Sequence, residues 1–244
     1  MGFLDKLFGK NNTKNAEAST TTKEVPTPIL TEEGLLEQYG GIALEKQLDF
    51  GELIGDNNWN VDMTAGTISF GDSLSFPLQV LGTFSHSSET WLWAWANQQS
   101  DLPDSIQQNA LQLKKYGDDN DFGLLRNPRF DFSTNELHIL GIIATGLCHA
   151  DAYYIADYGQ GAMLLTITDS RIKQVRHDIH DRVRVVFPQL ISQFEIDHQN
   201  ALRSYLRTKG YTIEETKTTL TATKDSDIIR AEFDDLSRLT NLQG

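Results

Sequence analysis

Thr90-Trp91-Leu92-Trp93-Ala94-Trp95-Ala96-Asn97 is the stretch that says most about how this 244-residue chain folds. Large aromatic residues alternate with smaller ones, and successive side chains of an extended strand point to opposite faces. Trp91, Trp93 and Trp95 therefore share one face of a predicted strand. Large aromatic surfaces usually lie inside a protein, which favours a core position for the three indoles. A ligand-binding platform is the alternative.

Neighbouring segments have the same two-residue period and predict a sheet around this strand. Residues 59–63 and 67–70 flank the turn Thr64-Ala65-Gly66, which predicts a hairpin. Residues 76–84 form the next run and connect to the tryptophan strand through His86-Ser87-Ser88. Because each connection is short, we expect an antiparallel meander of four strands.

Helical spacing of apolar residues predicts helices before and after the meander. The first helix, over residues 32–50, begins at the N-cap Thr31, and Gly40-Gly41 favours a bend within it. Two further helices and a second hairpin are predicted at residues 103–117, 134–150 and 153–167. Helical spacing then resumes at Ile172.

That last helical region reaches Lys209, and Pro188 predicts a break in it because proline lacks an amide donor. Short strands close the chain at residues 211–215, 218–223, 228–233 and 236–242. The expected fold class is α+β, with antiparallel β-meanders packed with helices. Residues 31–244 are expected to form one domain, with sub-units 31–169 and 170–244 as an alternative.

Residues 1–30 are predicted to be a flexible, disordered peptide and linker, since they contain few apolar residues and end with Pro26 and Pro28. Four apolar residues within residues 1–10 recur at helical spacing, namely Phe3, Leu4, Leu7 and Phe8. They suggest contact with a membrane surface or a partner. A solvated leader peptide is favoured, because so short a helix is marginal in water.

The net charge of the chain indicates which classes of partner it can bind. The formal net charge is -13, with 34 acidic residues against 21 lysines and arginines. Such a field disfavours nucleic acid, whose phosphates are bound by clustered basic residues, and favours a basic protein partner. The acidic loop residues Asp118, Asp119 and Asp121 are the candidate contacts.

The single cysteine and the lack of long apolar runs bear on location. Cys148 cannot form an internal disulfide, and the zinc spacings that need two cysteines are absent. Neither a signal peptide nor an apolar run of membrane-spanning length is present. We therefore expect a cytoplasmic protein.

A resemblance adds to this interpretation. The phrase Gln79-Val80-Leu81-Gly82-Thr83-Phe84-Ser85, followed by the tryptophan strand, is similar to an uncharacterised bacterial family. Residues 148–154 and 231–239 also look similar, so the resemblance covers most of residues 31–244 and leaves the N-terminal peptide outside. It implies a common fold and a bacterial cytoplasmic origin, and it carries no activity, cofactor or site residue.

Cys148-His149-Ala150-Asp151 brings a thiol, an imidazole and a carboxylate together in sequence, as a nucleophilic site needs them in space. Consecutive residues of a helix point about 100° apart, so Cys148 and His149 are poorly placed as nucleophile and base. A buried cysteine and a capping His-Asp pair are therefore favoured.

Two histidines in another segment have the spacing of metal ligands. His177 and His180 are three positions apart (i and i+3), and His198 or a carboxylate would have to supply a third ligand. A solvated helix surface is favoured, and no metal is predicted. Gly159 and Gly161 lack the further glycine and the Lys-Ser/Thr pair of phosphate-binding loops, so no cofactor is predicted either.

Three functional hypotheses remain. The favoured one is a non-enzymatic cytoplasmic binding protein, most concretely a bacterial immunity protein that neutralises a basic toxin domain by direct contact. The alternative is an enzyme or small-ligand binder whose aromatic-lined pocket contains Trp91, Trp93, Trp95, His149 and Asp151. A third is a structural or regulatory protein that docks through residues 1–10.

Overall fold

The computed structural model of the protein describes residues 28–172 and 179–244. Within these ranges, six α-helices pack with an antiparallel sheet of seven strands and another of four. The α+β class predicted from the sequence is confirmed. The predicted disordered tail lies outside the described residues except for residues 28–30.

The first helix, α1 (Glu32–Ile54), begins where the sequence predicts. The side chain of Thr31 accepts a hydrogen bond from the amide of Gly34, and Glu32 and Glu33 occupy the positively polarised first turn. The helix extends four residues beyond the predicted end and stops at Gly55, whose φ is 57°. A residue without a Cβ adopts this left-handed conformation at little steric cost.

The larger sheet contains the predicted four-stranded meander and three further strands. Its strands are β1 (Trp59–Asp62), β2 (Thr67–Phe70), β3 (Leu74–Ser85), β4 (Thr90–Trp93), β5 (Arg129–Asp131), β6 (Ala152–Asp157) and β7 (Gly161–Ile167). Strand β3 is the centre of this sheet, because its first residues pair with β2 and its later residues pair with both β4 and β7. The second predicted hairpin is confirmed as β6 and β7.

The tryptophan strand is shorter than the sequence suggests. Strand β4 ends at Trp93, and residues Ala94–Ala96 form a 3₁₀ turn closed by a hydrogen bond from the Asn97 amide to the carbonyl of Ala94. The predicted eight-residue strand is therefore wrong in its second half. The alternation of large and small residues continues through residues 94–96 in the sequence. The backbone hydrogen bonds there are local, however, and residues 94–96 pair with no neighbouring strand.

Five helices follow in the rest of the described chain. They are α2 (Gln108–Asp119), α3 (Gly123–Arg126), α4 (Leu137–Leu147), α5 (Ile179–Gln193) and α6 (His198–Thr208). Pro188 lies inside α5, so the predicted break at that residue is wrong. Phe187 and Leu190 are both fully buried, and this packing offsets the lost backbone hydrogen bond. The chain breaks instead before Asp197, whose carboxylate caps α6 by accepting from the Asn200 amide.

The smaller sheet is the predicted C-terminal meander. Its strands are β8 (Thr212–Glu215), β9 (Thr219–Lys224), β10 (Asp227–Phe233) and β11 (Leu239–Gln243), each antiparallel to the next. The last strand begins three residues later than predicted, because residues 236–238 belong to the turn after β10.

Helix α1 joins the two halves of the fold. It packs against α4 from the first half and against α5 and α6 from the second. A Cβ built on Gly41 would lie 2.4 Å from Cγ of Tyr205, and one on Gly40 would lie 2.7 Å from Cδ1 of Leu190. The glycine pair thus permits close approach of α5 and α6. Arg182 on α5 adds an ion pair of 3.2 Å with Asp49 of α1.

Candidate acidic binding site

The three tryptophans do not form a platform open to solvent. Trp91 and Trp93 are both 0% exposed, and their rings meet edge to face at 5.3 Å. The Trp93 indole donates a hydrogen bond of 3.3 Å to the carbonyl of Leu124. Trp95 is partly exposed, stacks on Trp93, and has the ammonium group of Lys114 5.2 Å from its ring centre. Only this third indole is within reach of a partner.

The residues of the Cys148–Asp151 segment point in different directions. Cys148 is largely buried, donates weakly to the carbonyl of Asn109 at 3.7 Å, and has its pKa raised to about 12 by burial. The thiol is therefore protonated at neutral pH. His149 is exposed with a φ of 54°, whereas Asp151 is buried and accepts from the Asp169 amide at 3.0 Å. This arrangement does not supply an activated nucleophile.

The acidic loop after α2 is offset by nearby cations. Asp118 pairs with Lys114 at 2.5 Å and Asp119 with Lys115 at 2.6 Å, each one helical turn apart. Asp121 pairs with Arg126. Each carboxylate thus has a basic neighbour, so these three residues add little net field at the surface.

The histidines considered as metal ligands have other partners. His180 Nδ1 lies 3.0 Å from the Tyr211 hydroxyl, and His198 Nδ1 accepts from the Leu239 amide at 2.9 Å. His177 lies outside the described residues. In the described part of the chain, no group of three or more His, Cys, Asp or Glu residues is arranged to hold a metal ion.

A different group of carboxylates surrounds a shallow cleft, which we call the Glu136 cleft. Its volume is about 280 Å³ and its lining residues are Glu89, Asp131, Phe132, Ser133 and Glu136. The fold brings them together from the β3–β4 turn, the end of β5 and the approach to α4. The Phe132 amide donates to the carbonyl of Glu89 at 2.9 Å, which fixes these two segments against each other.

Carboxylate charge at the Glu136 cleft is not offset by ion pairs. Glu136 accepts a hydrogen bond of 2.7 Å from the Ser133 amide, and none of the ion pairs among the described residues involves Glu89, Asp131 or Glu136. Nearby, burial and repulsion from Glu136 raise the pKa of Glu32. Glu136 therefore interacts electrostatically with a carboxylate at the start of α1.

Comparison with known proteins assigns the chain to a family. The family model described as "Family of unknown function (DUF6882)" matches residues 33–170, more than half of the chain. The protein is a DUF6882 member. The expected membership of an uncharacterised family is thereby confirmed. No curated protein and no solved structure matches the chain.

The DUF6882 match contains every residue that lines the Glu136 cleft, and it ends before α5. Sequence reasoning missed the cleft because Glu89 lies far along the chain from Asp131 and Glu136, and none of the three belongs to a run of like charge. A search for runs of like charge finds Asp118-Asp119-Asn120-Asp121 instead. Only the pairing of β4 with β5, which places Thr90 opposite Asp131, reveals that the segments meet.

Within residues 28–172 and 179–244 of this DUF6882 member, no helix is both long and apolar enough to cross a membrane.

Proposed function

We propose that this protein is a non-enzymatic binding protein that engages a basic protein partner through the Glu136 cleft. Its most concrete form is a bacterial immunity protein, which neutralises a toxin domain in the cytoplasm by direct contact. The observation that carries the proposal is that the cleft carboxylates Glu89, Asp131 and Glu136 take part in no ion pair among the described residues.

The electrostatics of the cleft favour a cationic ligand in two ways. A net charge of -13 accelerates encounter with a positively charged protein. In addition, burial and, secondarily, repulsion from Glu136 raise the pKa of Glu32, and a lysine or arginine bound at the cleft would reduce that repulsion.

The enzyme alternative has less support. Its proposed pocket depends on Trp91 and Trp93, which have no exposed surface. Cys148 and His149 also do not provide a thiolate and a base, because burial keeps the thiol protonated. A ligand could still contact Trp95, but one partly exposed indole is a small part of an aromatic-lined pocket.

The first experiment identifies the partner. The tagged full-length protein is recovered from its native cells at low and at high salt, and the co-purified proteins are identified by mass spectrometry. The proposal expects a basic protein that is retained at low salt and released at high salt, because opposite charges are screened by salt. Recovery of no basic partner would count against it.

The second experiment locates the surface with two variants of equal charge. Glu89→Gln, Asp131→Asn and Glu136→Gln together remove three charges from the cleft, and Asp118→Asn, Asp119→Asn and Asp121→Asn remove three from the paired loop. We expect the cleft variant to weaken partner binding about tenfold or more and the loop variant to have a smaller effect. If both variants lose the same amount of partner affinity, the loss comes from the change in net charge and not from the cleft. If the partner is a toxin, only the cleft variant should fail to protect cells that express it.

A further inference from the structure

We propose that a groove beside Leu236 is a docking site for the N-terminal segment of the same chain, residues 3–10. The groove has a volume of about 530 Å³ and lies between the end of α5, the start of α6 and the β10–β11 turn. Its apolar lining comes from Ile191, Phe194, Ile196 and Leu236. We call it the Leu236 groove.

Leu236 is an exposed apolar residue held in a fixed position. Its side chain is 72% exposed, although it belongs to a class of residue that is usually buried. The Asp234 carboxylate accepts from the amides of both Leu236 and Arg238 at 2.9 Å, which orders the turn. An apolar side chain on a rigid turn loses little entropy when another segment covers it.

Carboxylates surround the apolar floor. Glu33, Glu195 and Asp197 line the groove, while its one arginine, Arg238, is paired with Asp234 at 2.6 Å. Neither Glu33 nor Glu195 takes part in an ion pair within the described chain. The groove therefore suits a segment that has both apolar and cationic side chains.

The N-terminal segment has this composition. Its sequence is Gly2-Phe3-Leu4-Asp5-Lys6-Leu7-Phe8-Gly9-Lys10, with four apolar residues at helical spacing and two lysines. A short amphipathic helix binds a groove by placing residues of such spacing on the apolar floor. Lys6 and Lys10 would then lie near the acidic rim.

The attachment point of the segment lies beside the groove. The Tyr116 hydroxyl accepts a hydrogen bond from the Ile29 amide at 3.0 Å and donates one to the Ile29 carbonyl at 2.8 Å. The Ile29 side chain lies against Gly34. Gly34 adjoins Glu33, which lines the groove. A linker of the length of residues 11–27 has a root-mean-square span of about 23 Å. The segment is thus presented at roughly millimolar effective concentration, so even weak contacts occupy the groove.

The test uses the full chain and two matched double variants. Leu4→Asp and Leu7→Asp place charge on the apolar face of the segment, and Thr20→Asp and Thr21→Asp add the same charge to the linker. Hydrogen exchange is measured at residues 191–198 and 234–239. We expect exchange there to accelerate roughly two- to tenfold in the segment variant, because a millimolar effective concentration against a similar Kd covers half or more of the molecules. The linker variant should match the unchanged protein.

A second measurement locates the segment directly. A spin label on Gly2→Cys, with the partly buried Cys148 left in place, should broaden the signals of Leu236 and Ile196. Leu236→Asp should remove that effect, whereas Leu111→Asp, at an exposed leucine on α2, should not. The proposal would be overturned if hydrogen exchange is unchanged in the segment variant, or if the spin-label broadening persists in Leu236→Asp.

Phosphatidylglycerol vesicles test whether the segment binds a membrane surface when it is not in the groove. If the groove holds the segment, Leu236→Asp should free it and increase co-sedimentation of the protein with vesicles. Equal co-sedimentation with and without that substitution would mean that the groove does not hold the segment. This outcome is independent of the basic partner, which is proposed to bind at the Glu136 cleft.

Discussion

Lys209, at the end of α6, donates a hydrogen bond of 2.6 Å from Nζ to Oε2 of Glu45 on α1, and both side chains are at most 1% exposed. The Tyr205 hydroxyl donates to the same carboxylate oxygen. The backbone carbonyl of Lys209 in turn accepts from Nζ of Lys224 on β9 at 2.7 Å. The buried ion pair thus connects α1 with the end of α6, and the Lys224 hydrogen bond connects the end of α6 with the smaller sheet.

Replacing one member of this pair should destabilise the protein strongly. Lys209→Met removes the ammonium group paired with the buried Glu45 carboxylate, and breaking a buried ion pair in this way typically lowers the free energy of unfolding by about 3–5 kcal/mol. Urea denaturation measures the loss. The double variant Glu45→Gln and Lys209→Met should recover a large part of it, because both charges of the pair are then removed. A single variant that loses under about 1 kcal/mol would contradict this account of the pair.

Two glycines of α1 should respond to alanine in opposite ways. At Gly41 the new methyl group would lie 2.4 Å from Cγ of Tyr205, and overpacking of this kind costs about 1–3 kcal/mol. At Gly51 nothing lies within 4 Å of the new group, so the higher helix propensity of alanine should stabilise the protein by up to about 1 kcal/mol. Thermal and urea unfolding of both variants give the comparison. A harmless Gly41→Ala would show that α6 can move away from α1.

Stability should fall as the pH decreases from 7 toward 5. Burial lowers the pKa of His198 and of His138, so both favour the neutral form in the folded protein. Their contribution is complete above the ordinary histidine pKa of 6.5 and is lost as the pH falls through the lowered folded values. Protonation of His198 at Nδ1 would also remove the acceptor used by the Leu239 amide.

The contribution of His198 can be separated by substitution. His198→Asn retains an acceptor near the Nδ1 position but does not titrate, so its urea midpoint should change less between pH 7 and 5. Glu32 and Glu37 act with the opposite sign, because their raised pKa values mean that protonation favours the folded state as the pH falls. They are present in both proteins, and the difference between the two pH profiles cancels them. Superimposable profiles would mean that His198 does not contribute.

The cysteine should be unreactive in the folded protein. Its pKa is raised to about 12 by burial, so very little thiolate forms at pH 8. Labelling with a thiol-specific disulfide reagent should therefore be slow in buffer and rapid in denaturant. A fast, complete reaction of native Cys148 would revive the hypothesis of a nucleophilic site.

Regular periodicity made much of this fold predictable from its sequence. The hairpins β1–β2 and β6–β7 and the C-terminal meander follow alternation and turn residues. The predicted break at Pro188 and the predicted strand through Trp95 are wrong for the same reason, because tertiary packing overrides a local sequence signal at both positions. Pro188 is accommodated within α5 because its neighbours are buried, and Trp95 leaves the strand although its spacing fits.

The candidate sites were less predictable, because they depend on which segments meet. Asp118, Asp119 and Asp121 are conspicuous in sequence, but each has a cation within one or two turns. Glu89, Asp131 and Glu136 are inconspicuous and become a cleft only through strand pairing. The Leu236 groove likewise lies between α5, α6 and a β-turn, and the sequence of no single segment predicts it.

The close packing of α1 against α5 and α6 has an evolutionary consequence. Gly40, Gly41 and Glu45 lie inside the range matched by the family, whereas their contacts Leu190, Tyr205 and Lys209 lie beyond it. A relative without the C-terminal half would gain nothing from two glycines in a helix and would leave the carboxylate without its lysine. We therefore expect these three positions to co-vary with the presence of that half among members of the family.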